Sequence, residues 1–265
     1  MKNNITNKTI TQVLASTALG CLCLLPVACT QRPAAVTVEG TYFEVTSALD
    51  SVTPSAEAEA IIDEYRQRVI DEQAPVLGYA PADIERGKPE GLMNNFEADV
   101  LFEAGCKANG APVDVAIANY GGIRNMWNAG DVTIGDIYRA FPFENCLTLA
   151  TVNGSQLLDL FRSIAHDGGH PISGAALVIN PDGELITCDV QGKPIVDSQK
   201  YRVATLDYLA EGNDGMTAFK EATDVAVLPD LTIRALITEK VKALTAAGQP
   251  IAPQLDGRIT VVDVN

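Results

Sequence analysis

The chain has 265 residues, of which 47% are hydrophobic, and its formal net charge at pH 7 is −15. This acidic surplus argues against nucleic-acid polymers as ligands, because their affinity comes from many Lys and Arg contacts with phosphate. A single nucleotide, which needs only one or two cations, stays possible. The chain beyond its N-terminal segment, about 235 residues, suffices for one domain with one substantial core.

Residues 1–28 have the pattern of a signal peptide. Lys2 and Lys8 precede an apolar run, VLASTALGCLCLLPVA, which is too short for a membrane span and leads into a polar segment. Cleavage would remove both lysines and bring the net charge to about −17. We therefore expect an exported protein.

Cys29 is the expected site of lipidation. Val27-Ala28-Cys29 resembles the end of a lipoprotein processing box, although Pro26 stands where leucine is usual, and the segment 18–21 (Ala-Leu-Gly-Cys) is a second, weaker candidate. A lipidated Cys29 followed by a polar tether at 29–36 would anchor the protein to a membrane in the cell envelope without a spanning helix. Residues 37–265 then form the folded domain.

Helix and strand patterns alternate irregularly along this domain, which predicts an α+β (mixed α/β) fold. Strands are predicted over 36–45, 75–80, 113–117, 147–152, 173–179, 184–190, 201–206 and 259–264, and helices over about 54–72, 92–108, 156–164 and 231–246. Thr53 is the expected cap of the first helix, with Pro54 in its first turn. Residues 180–183 (Asn-Pro-Asp-Gly) are typical of a hairpin turn.

The stretch 114–145 is the most informative part of the sequence. A strand with alternating apolar residues ends just before Asn119. Gly121 and Gly122 can take positive φ and allow the backbone to approach a ligand, and Arg124 follows with a planar, permanently charged group. These residues are suited to hold an anion or the polar edge of a ring.

Aromatic and amide side chains follow in the same stretch. Phe141-Pro142-Phe143 predicts a rigid turn between two aromatic rings, and the amide of Asn145 can both donate and accept hydrogen bonds. Tyr208 and the Gly-Asn-Asp-Gly segment 212–215 form a later group of similar character. Together they indicate a binding cleft.

Three motifs, matched in order and spacing, resemble the substrate-binding C-terminal domain of the 5'-nucleotidase family. They are NYGGIR at 119–124, PFEN at 142–145 and GNDG at 212–215, and the resemblance runs from about Gly91 to about Phe219. That family includes UDP-sugar hydrolases and 2',3'-cyclic nucleotide phosphodiesterases. The resemblance implies a mixed α/β domain with two sheets layered between helices.

The resemblance also implies a role for each matched residue. Phe143 and Tyr208 would sandwich a nucleobase, Asn119 would reach the base, Asn145 would be a polar base contact, and Arg124 would face the ribose or phosphate. Base stacking is worth roughly 1–3 kcal/mol and tolerates any base. Taken alone, an aromatic residue in such a segment is more often a core residue.

The sugar and phosphate contacts are expected from other segments. Asp214 matches the carboxylate that accepts from ribose hydroxyls, although an Asp in such a sequence is more often a turn residue. Arginines upstream of the second helix contact phosphate or ribose in the family. Arg86 and Lys88 both lie near that place, and Arg86 is the better candidate.

The sequence offers little for metal binding or for disulfides. His166-Asp167-Gly168-Gly169-His170 places two histidines around an acid, but its glycines prevent a fixed helical face, which favours a structural role. Beyond residue 29 only Cys106, Cys146 and Cys188 remain, so at most one disulfide forms, and no spacing resembles a zinc site.

Full-length 5'-nucleotidases also carry a metallophosphatase domain in which two metals orient a water molecule. This sequence contains no Asp-x-His, Gly-Asn-His or Gly-His-x-His string and no evident activated Ser or Cys nucleophile. We therefore expect no catalytic residue and no cofactor in this chain, which would not hydrolyse phosphate esters alone. Divalent metals are expected only in a partner.

Three hypotheses remain open from the sequence. The chain is the nucleotide-recognising half of a split 5'-nucleotidase that acts with a separately encoded metallophosphatase, or a stand-alone nucleoside- or nucleotide-binding envelope lipoprotein. Alternatively, it is a structural relative that has lost binding, since Tyr120 and Asn213 stand where the family has glycines.

Overall fold

The computed structural model describes Gly40 and residues 55–263. The expected signal peptide, Cys29, the tether, all of the strand at 36–45 except Gly40, and the capping residues Thr53 and Pro54 lie outside the described residues. None of the helices within this described part combines the length and apolar composition that a membrane span requires.

The described chain contains six α-helices, ten strands and two 3-10 turns. The helices are α1 (Ala56–Gln73), α2 (Leu92–Asn109), α3 (Ile134–Ala140), α4 (Gly154–His166), α5 (Asp207–Ala210) and α6 (Ile233–Ala246). The strands are β1 (Val76–Ala80), β2 (Val115–Ile117), β3 (Gly130–Thr133), β4 (Cys146–Asn153), β5 (Ile172–Ser173), β6 (Ala175–Ile179), β7 (Leu185–Val190), β8 (Lys200–Leu206), β9 (Thr223–Thr232) and β10 (Ile259–Val261). The 3-10 turns cover Tyr120–Gly122 and Thr217–Glu221.

The strands form three sheets, which confirms the expected mixed α/β class. The central sheet has the order β5-β2-β8-β4-β9, in which only β2 and β8 are parallel. A second sheet has the order β10-β6-β7, and β1 pairs with β3 in a two-stranded ribbon. The sheets are therefore mixed and layered between helices, as the family resemblance implies.

The central sheet separates two hydrophobic cores, where the sequence predicted one. Ala116 and Ala204 pack on one face with α2 and α6, whereas their neighbours Val115 and Val203 pack on the other face with α4 and the three-stranded sheet. Successive side chains of a strand point to opposite faces, so both faces of a buried sheet need apolar cover.

Helix boundaries differ from the prediction where local caps decide them. Helix α1 begins after Ser55, whose side chain accepts from Ala58 N, so Ser55 is its N-cap. Helix α4 begins two residues earlier than predicted because Asn153 and Gln156 form a capping box.

Several strands also differ from the prediction. The run 173–179 is divided by Gly174, which has φ +82° and separates β5 from β6, and the two strands join different sheets. A Cβ there would lie 2.4 Å from the carbonyl oxygen of Asp114. Helix α6 begins at Ile233 rather than 231 because the preceding residues belong to β9, and β10 ends at Val261. The sequence did not predict β3, α3, α5 or β9.

Candidate functional site

The segments that the sequence analysis identified as candidate ligand contacts lie at one edge of the central sheet. Strands β2 and β8 are parallel, so both end at this edge, and β4 begins there because it is antiparallel to β8. Asn119 lies two residues after β2, Tyr208 two residues after β8, and Asn145 one residue before β4. Sheet topology alone therefore brings together residues up to 89 positions apart.

Seven side chains or backbone positions from this edge line one cavity of about 250 Å³. They are Asn119, Gly121, Arg124, Phe143, Asn145, Tyr208 and Asp214, and each of them was a predicted site residue. The rings of Phe143 and Tyr208 are partly exposed to solvent, at 41% and 37% of their surface. Large aromatic rings at the mouth of a cavity are available to a ligand rather than to the core.

Three of the lining side chains form a hydrogen-bond network. The Tyr208 hydroxyl donates to Asp214 Oδ1 at 2.8 Å, and Asn119 Nδ2 donates to Asp214 Oδ2 at 3.2 Å. Because a carboxylate only accepts, the Asn119 amide is oriented with its nitrogen towards Asp214. Hydrogen bonding to the carboxylate, with smaller effects of burial and charge, raises the pKa of Tyr208 above its usual value.

One buried acceptor of this network has no partner within the protein. Asn119 Oδ1 is inaccessible to solvent and accepts no hydrogen bond from any described residue. A buried polar atom without a partner is costly, and such atoms in native proteins need an explanation. This oxygen faces Gly122.

The Asp214 backbone is itself unusual. Its φ is +49°, a left-handed conformation that Asp and Asn adopt more readily than most residues. Gly212 and Gly215 flank it with φ +83° and +73°. The turn therefore aims the carboxylate back at Asn119 and Tyr208.

Gly121 and Gly122 do not use the positive φ that glycine allows. Both residues belong to the right-handed 3-10 turn, and neither has a positive φ. The glycine at position 122 is explained by a steric limit instead, because a Cβ there would lie 2.9 Å from Asn119 Oδ1. Gly122 is buried behind the cavity, while Gly121 lines it.

Arg124 lies at the exposed side of the cavity. Its guanidinium carbon is 5.0 Å from the centre of the Phe143 ring, within the range of a cation–π contact. Its backbone N–H donates to the Ala140 oxygen at 2.8 Å. The one cationic group of the cavity lining thus lies beside an aromatic ring.

Arg86, also predicted as a site residue, does not line the cavity. Its Nη1 donates to the Ile123 oxygen at 2.6 Å, and its guanidinium lies 4.7 Å from the centre of the Tyr120 ring. Lys88 Nζ lies 4.9 Å from the same ring. Both cations therefore contact the 120–123 segment outside the cavity.

The two residues that replace family glycines also lie outside the cavity lining. Tyr120 contacts Arg86 and Lys88, and Asn213 Nδ2 donates to the Tyr208 oxygen at 2.8 Å. Neither side chain lines the cavity. Their presence therefore gives no steric reason for a loss of binding.

His170 has a structural role beside the site. It is 4% exposed; its Nδ1 accepts from Tyr120 N at 3.3 Å, and its Nε2 lies 3.0 Å from Asp167 Oδ2. Because the Tyr120 amide must donate, the Nε2 atom carries the proton and donates to Asp167. His166 is exposed, and in the part of the chain that the structure describes no group of three or more His, Cys, Asp or Glu could hold a metal.

Asp207 is a second supporting residue that the sequence did not single out. Its Oδ1 accepts from Tyr208 N at 2.8 Å and from Cys146 N at 3.1 Å, which joins the segment after β8 to the start of β4. An acid in the first turn of a helix is the only sequence signal for this role. Cys106, Cys146 and Cys188 are all free thiols.

Comparison with known proteins identifies the family. The sequence model of the 5'-nucleotidase C-terminal domain matches residues 73–221, which is more than half of the chain. The chain belongs to this family. All seven lining residues fall within the matched segment, as do α2 and β2 to β8.

Two known proteins are similar to this chain over a longer stretch. The trifunctional nucleotide phosphoesterase protein YfkN of Bacillus subtilis is 27% identical over 226 residues, which are 78% of this chain and 15% of YfkN. The cell wall protein Lmo0130 of Listeria monocytogenes is 28% identical over 236 residues, 78% of this chain and 30% of that protein. The chain therefore spans less than a third of either relative.

A solved structure shows the same fold. The 5'-nucleotidase precursor from Thermus thermophilus superimposes with a TM-score of 0.68 and 22% identity, over 79% of this chain and 44% of that one. The 5'-nucleotidase C-terminal fold is thus shared with a protein about twice as long.

Proposed function

We propose that this chain is the nucleotide- or nucleoside-recognising half of a split 5'-nucleotidase, which hydrolyses phosphate esters only together with a separately encoded metallophosphatase. The observation that carries the proposal is the single cavity in which Phe143, Tyr208, Asn119, Asn145 and Asp214 meet. These side chains combine two aromatic rings with amides and a carboxylate, which is the chemistry that a base and a ribose require.

The aromatic rings would bind the base. A nucleobase has two apolar faces and a polar edge, so Phe143 and Tyr208 would stack on it while the amides of Asn119 and Asn145 contact its edge. Asn119 Nδ2 uses one of its two N–H groups for Asp214 and keeps the other for the base edge.

Asp214 would bind the sugar, and Arg124 would face its 5' side. Each oxygen of the Asp214 carboxylate accepts one hydrogen bond within the protein and keeps further lone pairs for ribose hydroxyls. Arg124 supplies a permanent positive charge at the exposed side of the cavity. A monophosphate placed there would face solvent, where a second protein could reach it.

A separate metallophosphatase protein would catalyse the hydrolysis. YfkN, whose name describes a phosphoesterase, is far longer than this chain, and the sequence here contains none of the metallophosphatase strings. Any divalent metals would therefore belong to the partner, and this chain would contribute recognition.

Calorimetric titration of adenosine and AMP into the protein tests the binding half of the proposal. We expect saturable binding that is weakened about 5- to 150-fold in Phe143→Ala, since loss of one stacking ring removes roughly 1–3 kcal/mol. Asp214→Ala should weaken the binding of ribonucleosides more than the binding of 2',3'-dideoxynucleosides. Tyr65→Ala and Asp182→Ala, at exposed positions outside the cavity, are the matched controls. Wild-type protein that binds neither adenosine nor AMP would refute it.

An activity assay on a mixture of the two proteins tests the hydrolytic half of the proposal. The purified chain, combined with a metallophosphatase encoded in the same genome, should release phosphate from AMP faster than either protein alone, and Phe143→Ala should abolish the gain. If no such phosphatase is activated while the isolated chain still binds adenosine, the stand-alone binding lipoprotein becomes the better description.

The proposed location is the cell envelope, with a lipid on Cys29. The signal-peptide pattern of residues 1–28 supports export, and one relative is named a cell wall protein. Metabolic labelling with a fatty acid should mark the wild type and not Cys29→Ala. If the label persists in Cys29→Ala and disappears in Cys21→Ala, Cys21 rather than Cys29 is the lipidated residue.

A further inference from the structure

One buried arginine at the start of helix α6 contacts the segment 141–145, which includes the cavity residue Phe143. Arg234, in the first turn of α6, is 9% exposed. Its Nη1 donates to the Phe141 oxygen at 3.2 Å, and its Nη2 pairs with Glu144. The guanidinium carbon lies 4.2 Å from the centre of the Tyr138 ring.

These contacts lie on both sides of Phe143. Arg234 contacts residues 141 and 144, and the neighbouring backbone N–H of Ile233 donates to the Asn145 oxygen at 2.9 Å. The start of α6 thus fixes three of the five residues from 141 to 145, and neither Ile233 nor Arg234 lines the cavity. Phe143 lies between the two residues that Arg234 contacts, and Asn145 is held by the Ile233 backbone.

The position of Arg234 is unfavourable unless these contacts compensate it. A cation at a helix N-terminus is disfavoured by the helix dipole, and a buried guanidinium loses its hydration. Glu144, the Phe141 carbonyl and the Tyr138 ring supply an anion, an acceptor and an aromatic face. Lysine could not replace it, because only the planar fork reaches the carbonyl and the carboxylate together.

We propose that Arg234 is a positioning residue that holds Phe143 in place for the ligand without contacting it. This inference rests on the proposed nucleotide-binding function of the cavity. It adds a residue that lies beyond the segment matched by the family, residues 73–221.

The test compares Arg234→Met and Arg234→Lys with a control, Arg162→Met, which removes an exposed arginine that pairs with Asp159 on α4. Amide hydrogen exchange of the segment 141–145, followed at the Phe141 N–H and at the Ile233 N–H that donates to the Asn145 oxygen, reports its order without any ligand. Calorimetry with adenosine reports the consequence for binding, in the wild-type background and in Phe143→Ala.

We expect faster exchange at 141–145 and about tenfold weaker adenosine binding in Arg234→Met, with a smaller effect in Arg234→Lys and none in Arg162→Met. If Arg234 acts through Phe143, Arg234→Met should cost little further affinity in the Phe143→Ala background, whereas a general loss of stability would be the same in both backgrounds.

The outcomes separate this inference from the proposed function. Unchanged exchange at 141–145, or unchanged adenosine affinity in a folded Arg234→Met protein, overturns the positioning role. Equal losses of affinity with and without Phe143 also overturn it. Failure of the wild type to bind adenosine refutes the proposed function and with it the ligand role of Arg234, although faster exchange would still show that Arg234 orders the segment.

Discussion

The hydroxyl of Tyr208 donates to Asp214 Oδ1 at 2.8 Å, so an aromatic ring and a carboxylate of the cavity form one unit. The Tyr208 ring can present its face to a ligand while its hydroxyl orients the carboxylate. Asn119 completes the arrangement through the second carboxylate oxygen, at 3.2 Å. Three of the seven lining residues are therefore coupled before any ligand binds.

The first prediction concerns the ionisation of Tyr208. The bond to Asp214 raises the pKa of this phenol, and Asp214→Ala should lower that pKa towards the ordinary tyrosine value. Because the folded-state pKa is raised, the stabilisation from this bond is complete below the ordinary tyrosine pKa and is lost as the pH rises through the folded-state value. A pH titration followed by NMR of the labelled tyrosine ring carbons measures the pKa of Tyr208, and Tyr208→Phe identifies its signal. A Tyr208 pKa that is unchanged in Asp214→Ala would contradict the coupling.

The second prediction concerns space beside Asn119. Gly122→Ala places a Cβ 2.9 Å from Asn119 Oδ1, so the Asn119 amide must move, at a cost of about 1–3 kcal/mol in the free energy of unfolding. Gly121→Ala is the control, since its nearest contact would be at 3.8 Å. Urea unfolding of the two variants measures the difference. Equal stability of the two variants would show that the segment adjusts without strain.

The third prediction concerns His170. His170→Ala removes the acceptor of the Tyr120 N–H and leaves a cavity, which should destabilise the protein by about 1–3 kcal/mol and weaken adenosine binding. His166→Ala, at an exposed position, should change neither. Denaturant unfolding and calorimetry measure these effects. A large stabilisation of the wild type by added zinc, lost in both variants, would instead support a metal role for the two histidines.

The fourth prediction concerns Glu97, a buried acid on α2. Desolvation raises the pKa of this carboxyl to about 8, and its Oε2 has no hydrogen-bond partner among the described residues. The neutral form is therefore favoured in the folded protein at neutral pH. Since the folded-state pKa lies above the unfolded value, its contribution to stability is complete below about pH 4.5 and is lost progressively up to about pH 8.

Unfolding free energies measured across this pH range in the wild type and in Glu97→Gln provide the test. The Gln variant should be increasingly stable relative to the wild type as the pH rises, and the difference should level off above about pH 8. Parallel pH profiles for the two proteins would show that Glu97 does not titrate in this way.

The sequence by itself selected all seven residues that line the cavity, because six of them belong to three short motifs and Tyr208 lies only four residues before the last motif. It also predicted α2 and β8 almost to the residue, since apolar periodicity marks buried elements, and β7, which follows a recognisable hairpin turn. It failed on β9, an edge strand of mostly exposed residues that includes Pro229, because neither alternation nor composition distinguishes such a strand from a loop.

Tertiary structure decided what each residue near the site does. Arg86 and Arg124 are both cations near matched motifs, yet only Arg124 lines the cavity, because Arg86 donates to the Ile123 oxygen outside it. His170 and Arg234 hold two of its segments through hydrogen bonds to residues 50 and 93 positions away. Such contacts depend on how β2, β4 and β8 are ordered in the sheet, and that order arises from packing of the whole chain rather than from any local pattern.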